Sequence, residues 1–138
     1  MEAKVVDIQN KVSSTGDYGG LGERRITEQT ARKYRTKIKT NGSIISHHYY
    51  EYYNTEGSHV ATKVRQVEGK RIWSQGDMTD ALLFGQNLFK SGGKYITITE
   101  GEIDAMSAYE MLGSKWAVVS IKNGVQSAVQ NCKQHLEY

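Results

Sequence analysis

The sequence contains no proline and a single cysteine, Cys132, among its 138 residues. One thiol excludes a disulfide framework and a zinc ribbon or finger built on paired cysteines. No apolar run approaches the roughly 18 residues that cross a bilayer, and the amino terminus lacks the basic-then-apolar order of a secretory signal. We therefore expect a cytoplasmic protein that has no membrane partner and consists of one compact domain or two small ones.

Positive charge is concentrated in the middle of the chain. Eleven lysines and arginines against five acids lie between Gly20 and Trp73, whereas four lysines face five acids between Lys94 and Tyr138. A local surplus of six positive charges favours a polyanion partner such as nucleic acid, because each neutralised phosphate releases condensed counterions. The alternative is a solvated basic surface without a ligand.

Three segments are predicted: a flexible leader at 1–19, a basic subdomain at 20–93 and an α/β unit at 94–138. In the basic subdomain, Thr27 is placed to cap a short helix over 26–34, and a second short helix is predicted over 86–90. Segments 43–51 and 59–67 are rich in β-branched and aromatic residues and are separated by turn residues, which predicts an antiparallel hairpin with a third strand at 70–73. Lys63 and Arg65 share one strand face, so both charges could reach one phosphate-bearing partner.

The last 45 residues read as strand, helix, strand, helix. The β-branched stretch 94–99 is followed by helical spacing over 102–112, an almost continuous apolar strand at 116–121 and a second helix over 125–136. Short joins between these elements predict a βαβα unit with parallel strands. The fold class is therefore α+β: a small antiparallel basic sheet with a helix, followed by a partial α/β unit.

Three carboxylates follow the first strand of this unit, at Glu100, Glu102 and Asp104. The carboxyl end of a parallel strand is where open α/β sheets place their ligands, and hard oxygen donors suit Mg²⁺ or Mn²⁺. A structural explanation is also open, since acids at a helix amino terminus offset the positive end of its dipole.

The run Thr99-Glu100-Gly101-Glu102-Ile103-Asp104 resembles the opening of the Toprim fold, in the version found in DNA primases of phage primase–helicases. The resemblance covers roughly residues 20–138, and the upstream basic stretches favour the primase branch. The stretches that carry it are 63–65, 70–73, 80–85, 98–106 and 117–124.

The resemblance implies a nucleotidyltransferase site. Glu100 corresponds to the catalytic glutamate, acting as general base or shaping a magnesium site, with Asp104 as a second metal ligand and Glu102 as a supporting acid. Lys63 and Lys70 match basic residues that contact template or nucleotide phosphates, and Arg65 and Arg71 lie beside them. The implied partners are a single-stranded DNA template and ribonucleoside triphosphates, in the host cytoplasm if a bacteriophage encodes the chain.

One family motif is missing. No aspartate occurs after Asp104, so the Asp-x-Asp pair that holds the metals in Toprim enzymes is absent, as are a zinc-binding module and a nucleotide-binding loop of helicases. Because phosphoryl transfer relies on two clamped metals, we expect a primase portion that is incompetent alone. A helicase or the remaining Toprim portion on another chain would then be a partner.

Two further hypotheses stay open beside the primase portion. The first is a non-catalytic module that binds single-stranded nucleic acid or a replisome partner. The second is a fragment of a Toprim nuclease, which the upstream similarity disfavours. A downstream Asp-x-Asp strand in the same or a neighbouring reading frame would favour the enzyme.

Overall fold

Helix α1 (Glu28–Lys33) begins directly after Thr27, the residue predicted to cap it. The Thr27 hydroxyl accepts a hydrogen bond from the Thr30 amide at 3.3 Å, which satisfies one of the free amides in the first helical turn. The computed structural model describes residues 16–138, so most of the predicted leader at 1–19 lies outside the described residues.

Four antiparallel strands follow in the order β1-β2-β3-β4. The predicted hairpin and third strand are confirmed, with the third strand two residues later than expected, and an additional strand precedes them. That strand was missed because its sequence, Thr-Lys-Ile-Lys-Thr-Asn, offers one large apolar residue, Ile38. The bounds are β1 (Thr36–Asn41), β2 (Ile44–Tyr53), β3 (His59–Gln66) and β4 (Ile72–Gly76).

One face of this sheet packs into an aromatic core around Phe84. The Phe84 ring lies 5.4 Å from the Tyr34 ring, 5.8 Å from Tyr50 and 5.7 Å from Tyr52, measured between centroids. Tyr50 and Tyr52 are two residues apart on β2, so the alternation of a strand turns both to the same side. Large rings at these positions provide much of the apolar area that the sheet buries.

The carboxyl-terminal part forms the predicted βαβα unit. Its elements are β5 (Ile96–Thr99), α2 (Glu102–Met111), β6 (Ala117–Ser120) and α3 (Ala128–Gln134), the last preceded by a 3₁₀ turn at Val125–Ser127. Strands β5 and β6 pair in parallel, as predicted. Together with the antiparallel sheet they confirm the α+β class. Within residues 16–138, no helix combines the length and apolar character that a membrane span requires.

The two sheets share one hydrophobic core. Phe84 exchanges two backbone hydrogen bonds of 3.0 Å with Ser120, and the Tyr34 hydroxyl donates to the Val118 carbonyl at 2.8 Å. Gly85 has φ +87°, and a Cβ there would lie 2.7 Å from the Tyr34 ring, so glycine permits both the turn and the close approach. The helix expected at 86–90 is only a 3₁₀ turn at Gln86–Leu88. A domain boundary at residue 93 stays a prediction.

Candidate active site

The acidic loop lies at the carboxyl ends of the two parallel strands. The Thr99 hydroxyl donates to the carbonyls of Gly101 and Val119, at 3.0 and 3.2 Å, and the Ile121 amide donates to the Thr99 carbonyl at 3.1 Å. Gly101 is the extended residue that precedes α2, and its carbonyl accepts from the Ala105 amide at 3.0 Å. These bonds fix the turn that carries the carboxylates.

The three predicted acids differ in exposure. Glu100 and Asp104 are exposed to solvent, whereas Glu102 is 9% exposed and points into the protein. Glu102 accepts hydrogen bonds from the Lys63 ammonium and, at 2.6 Å, from the Tyr52 hydroxyl. Its carboxylate is therefore engaged by the antiparallel sheet and is not available beside Glu100.

Lys63 is buried between the two sheets. Strand register places Lys63 and Arg65 on the same face, as predicted, but this face is directed inward at Lys63, whose side chain is 11% exposed. Its ammonium donates to Glu102 and to the Lys122 carbonyl and lies 5.4 Å from the centre of the Tyr52 ring. The expectation that Lys63 and Arg65 form one open cationic pair is therefore corrected, because Lys63 already has a buried counter-ion.

Tyr52 completes this buried network, and the sequence analysis did not predict its contact with Glu102. Complete burial and the neighbouring Glu102 charge raise the pKa of the Tyr52 hydroxyl well above its ordinary value, so it stays protonated and donates to the carboxylate. The signal that could have found the contact is the hairpin register, which places Tyr52 and Lys63 on the same inward face of adjacent strands.

Arg65 lies half-buried beside a second basic group. It lines a cavity of about 40 Å³ together with Arg24 and His48. Burial, and then the charges of Arg65, Arg24 and His47, lower the pKa of His48 to about 4, so the imidazole is neutral near pH 7. Arg65 thus borders a small recess rather than the acidic loop.

Lys70 and Arg71 lie at the turn between β3 and β4, where both are exposed. The Arg71 guanidinium stands 5.8 Å from the centre of the Trp73 ring, which is itself 37% exposed. Within the described residues, no ion pair joins either cation to the acidic loop. A cation and an aromatic face that are both open to solvent suit contact with phosphates and unpaired bases.

The carboxylates fit part of a magnesium site. Glu100 and Asp104 are free oxygen donors near the start of α2, and Mg²⁺ is commonly held by one or two carboxylates together with waters and substrate phosphates. Across residues 16–138, however, there is no group of three side chains of the kind that encloses a metal ion. Glu100 and Asp104 would supply ligands to such an ion, which would neutralise phosphate charge, and two carboxylates are too few for a two-metal centre.

Comparison with known proteins supports the predicted resemblance. No family model matches the chain. The chain is 33% identical over 135 residues to the DNA helicase/primase of Enterobacteria phage T3. The crystal structure of the primase fragment of the bacteriophage T7 primase–helicase protein superimposes with a TM-score of 0.81 at 32% identity. Primase domains of two gp4 subunits, in a structure of the T7 lagging-strand DNA polymerase with an RNA/DNA hybrid and dTTP, match with a TM-score of 0.77 at 34% identity.

The matches cover most of this chain but only part of each relative. They include 96% of the chain for the phage T3 protein, and 93% and 89% for the two T7 structures. In the opposite direction, the chain spans 23% of the T3 protein, 54% of the T7 primase fragment and 61% of the second T7 chain. In the two T7 structures, the similarity lies within a primase fragment and primase domains.

Proposed function

Because this chain is related to the primase part of phage primase–helicases, we propose that it is a portion of a DNA primase that serves RNA primer synthesis on single-stranded DNA. The observation that carries the proposal is the buried Lys63–Glu102 ion pair, which joins the basic sheet to the acidic loop. A pair of this kind holds a cationic surface and a set of free carboxylates in one fixed arrangement, as a site that joins nucleotides requires.

In this proposal the side chains have different roles. Glu100 acts at the reacting centre, either as general base that takes the proton of the attacking hydroxyl or as metal ligand, and Asp104 supports it. Lys63 acts through its buried contact with Glu102, which keeps the acidic loop in place. The phosphates of the template or of incoming ribonucleotides are bound by Lys70 and Arg71 at the exposed turn and by the half-buried Arg65.

We further propose that this portion is not competent for primer synthesis on its own. The described residues offer Glu100 and Asp104 as free carboxylates, whereas two metals that clamp the attacking and leaving oxygens need additional ligands. The missing ligands would come from an Asp-x-Asp strand, either in a longer polypeptide or on a companion chain.

A binding module without catalysis is the second candidate. It is favoured by one observation: the exposed Arg71 and Trp73 form a cationic and aromatic surface that does not need the acidic loop. Such a surface holds single-stranded nucleic acid by stacking and charge without chemistry. The two candidates differ in whether Glu100 matters.

The nucleic-acid surface is tested by reversing the charge of Lys70 and Arg71 together. Binding of a fluorescent oligothymidylate to the 138-residue chain is measured between low and moderate salt. Each lost phosphate contact should reduce the steepness of log affinity against log salt by about 0.7. The slope of the double variant should therefore be smaller by about 1.4. The control is Lys90→Glu, an exposed lysine that follows the 3₁₀ turn at Gln86–Leu88. An unchanged slope in the double variant contradicts the phosphate assignment.

Glu100→Gln separates the enzyme from the binding module. In a primase reconstituted with the missing Asp-x-Asp portion, this change should abolish oligoribonucleotide synthesis and leave oligothymidylate binding within about twofold, because an exposed acid contributes little to the fold. Full synthesis by the variant would favour the binding module.

A further inference from the structure

A cleft lies between the Met78–Thr79 segment and helix α3, near the acidic loop. Its volume is about 680 Å³, within the range of small-molecule sites. Its polar lining consists of two lysines, side-chain amides and hydroxyl groups, and no carboxylate lines it. The residues that matter for the argument are Thr79, Lys122, Asn123, Gln130, Lys133 and Gln134.

Lys122 forms the base of this cleft and carries a charge without a counter-ion. The residue is 3% exposed, and its ammonium donates to the Ala81 carbonyl at 2.8 Å. The ammonium also makes two longer contacts, to the Met78 carbonyl at 3.4 Å and to the Gln134 side-chain carbonyl at 3.3 Å, and its charge acts on the neighbouring His135. Among the described acids, none lies within ion-pairing distance of it.

Burial lowers the pKa of Lys122, and the more distant charge of Asp80 only partly opposes this effect. Removing an ammonium from water without an anion nearby is costly, and an anion that enters the cleft would repay part of this cost. The weak contact with Gln134 is the one that a ligand oxygen could replace.

The rim of the cleft adds a second cation and several donors. Lys133 is exposed on α3, and no described acid forms an ion pair with it. The amide groups of Asn123, Gln130 and Gln134 are also exposed and can donate to phosphate oxygens. Two positive charges and a rim of amide donors favour an anion with several oxygens over an apolar ligand.

We propose that this cleft binds phosphate groups of a nucleotide or nucleic acid, at a position separate from Arg65, Lys70 and Arg71. The position adjoins the acidic loop, because the Lys122 carbonyl accepts from the Lys63 ammonium that also holds Glu102. That the phosphate belongs to a nucleotide rests on the proposed primase function, whereas phosphate binding itself does not.

The test measures binding of inorganic pyrophosphate, ATP and a short oligothymidylate to the chain by calorimetry, without divalent metal. Lys133→Glu should weaken pyrophosphate and ATP binding by about tenfold, the effect of losing one charge-assisted contact. Lys122→Gln should weaken them at least as much. Lys90→Glu, an exposed lysine away from the cleft, should leave both within about twofold.

Each outcome decides the assignment. Because Lys122 is buried, circular dichroism checks that Lys122→Gln folds. If that variant does not fold, the surface variant Lys133→Glu alone decides whether the cleft binds phosphate. If pyrophosphate and ATP do not bind, or bind equally well to Lys133→Glu, oligothymidylate binding decides the proposal. The proposal is overturned if oligothymidylate binding is also unchanged in that variant, and it holds if that binding falls. In that case the phosphate comes from a nucleic-acid backbone. Charge reversal of Lys70 and Arg71 should weaken binding of oligothymidylate and leave pyrophosphate binding within about twofold. Failure of the proposed function can therefore be told apart from failure of the cleft.

Discussion

The antiparallel sheet and the βαβα unit bury their strands to different degrees. In the sheet, the five consecutive residues 49–53 of β2 are all buried. In the βαβα unit, Val118 and Val119 on β6 are completely buried, while Ile96 and Ile98 on β5 are 47% and 48% exposed. A parallel strand with half-open isoleucines lies at a sheet edge, where it offers unpaired backbone groups and apolar side chains to a further element.

This difference teaches that the βαβα unit is covered by its neighbour on one side and exposes apolar side chains to solvent elsewhere. Its buried side is closed by Phe84 and Tyr34, which belong to the first part of the chain. In the same unit, Val125 and Val129 are also 62% and 68% exposed. The antiparallel sheet has no comparable open apolar face among the described residues, apart from the edge residues Ile72 and Trp73 and the end residue Ile44.

Phe84→Ala should have the largest effect, because it removes the ring that both regions share. Phe84 is 1% exposed and contacts three tyrosine rings, so its loss should lower the free energy of unfolding by about 4 kcal/mol. Urea unfolding followed by circular dichroism measures this change. Tyr95→Ala, at a ring that is 58% exposed, is the control and should cost under about 1 kcal/mol. Equal losses in both variants would show that Phe84 does not join the two regions.

The Lys63–Glu102 pair should give the next largest effect. Lys63→Met and Glu102→Gln should each lower the free energy of unfolding by about 3 kcal/mol, because each leaves the other member of the pair buried without its counter-ion. The double variant should lose clearly less than the sum of the two, which a double-mutant cycle measures.

The exposed pair Arg32–Glu28 is the matched control for this cycle. Its side chains are 56% and 54% exposed, so Arg32→Met should change the free energy of unfolding by about 0.5 kcal/mol or less. Strictly additive losses at Lys63 and Glu102 would contradict a direct coupling between the sheet and the acidic loop.

Ile98→Thr should have the smallest effect. Ile98 is half-exposed on β5, so the change should lower the free energy of unfolding by about 0.5 kcal/mol or less. Its parallel partner Val119 is completely buried, and Val119→Thr places a hydroxyl in the core at a cost of about 1–3 kcal/mol. If both changes cost the same, β5 is covered in solution, and sedimentation of the chain would then show self-association.

Much of the fold could be predicted from local patterns. The cap at Thr27, the hairpin, the parallel strands and helix α2 all follow from periodicity and turn residues, which act over a few positions. Strand β1 could not be predicted, because its pairing with β2, not its own composition, makes it a strand. The helix expected at 86–90 became a 3₁₀ turn, since Phe84 and Gly85 are held against β6 and α1.

The candidate site was predictable in its residues and not in its contacts. Glu100, directly after β5, and Asp104, in the first turn of α2, are both exposed, at the positions where the motif places them. Lys63 was expected on an open face, and the structure instead pairs it with Glu102. Alternation shows which residues share a face but does not show which face is covered, since coverage depends on the packing of distant elements.

The amino-acid order alone determined the class of this protein: its α+β architecture, its basic middle, the acidic turn after a parallel strand and its likeness to phage primases. Only the packing of the two sheets decided which charges are free, because burial and counter-ions come from residues far apart in the chain. Lys63, Glu102 and Lys122 became interior groups, while Glu100, Lys70 and Arg71 stayed in water. A charged side chain in water keeps its hydration, whereas a buried one needs a partner. The same residue type therefore has different chemistry in the interior and at the surface.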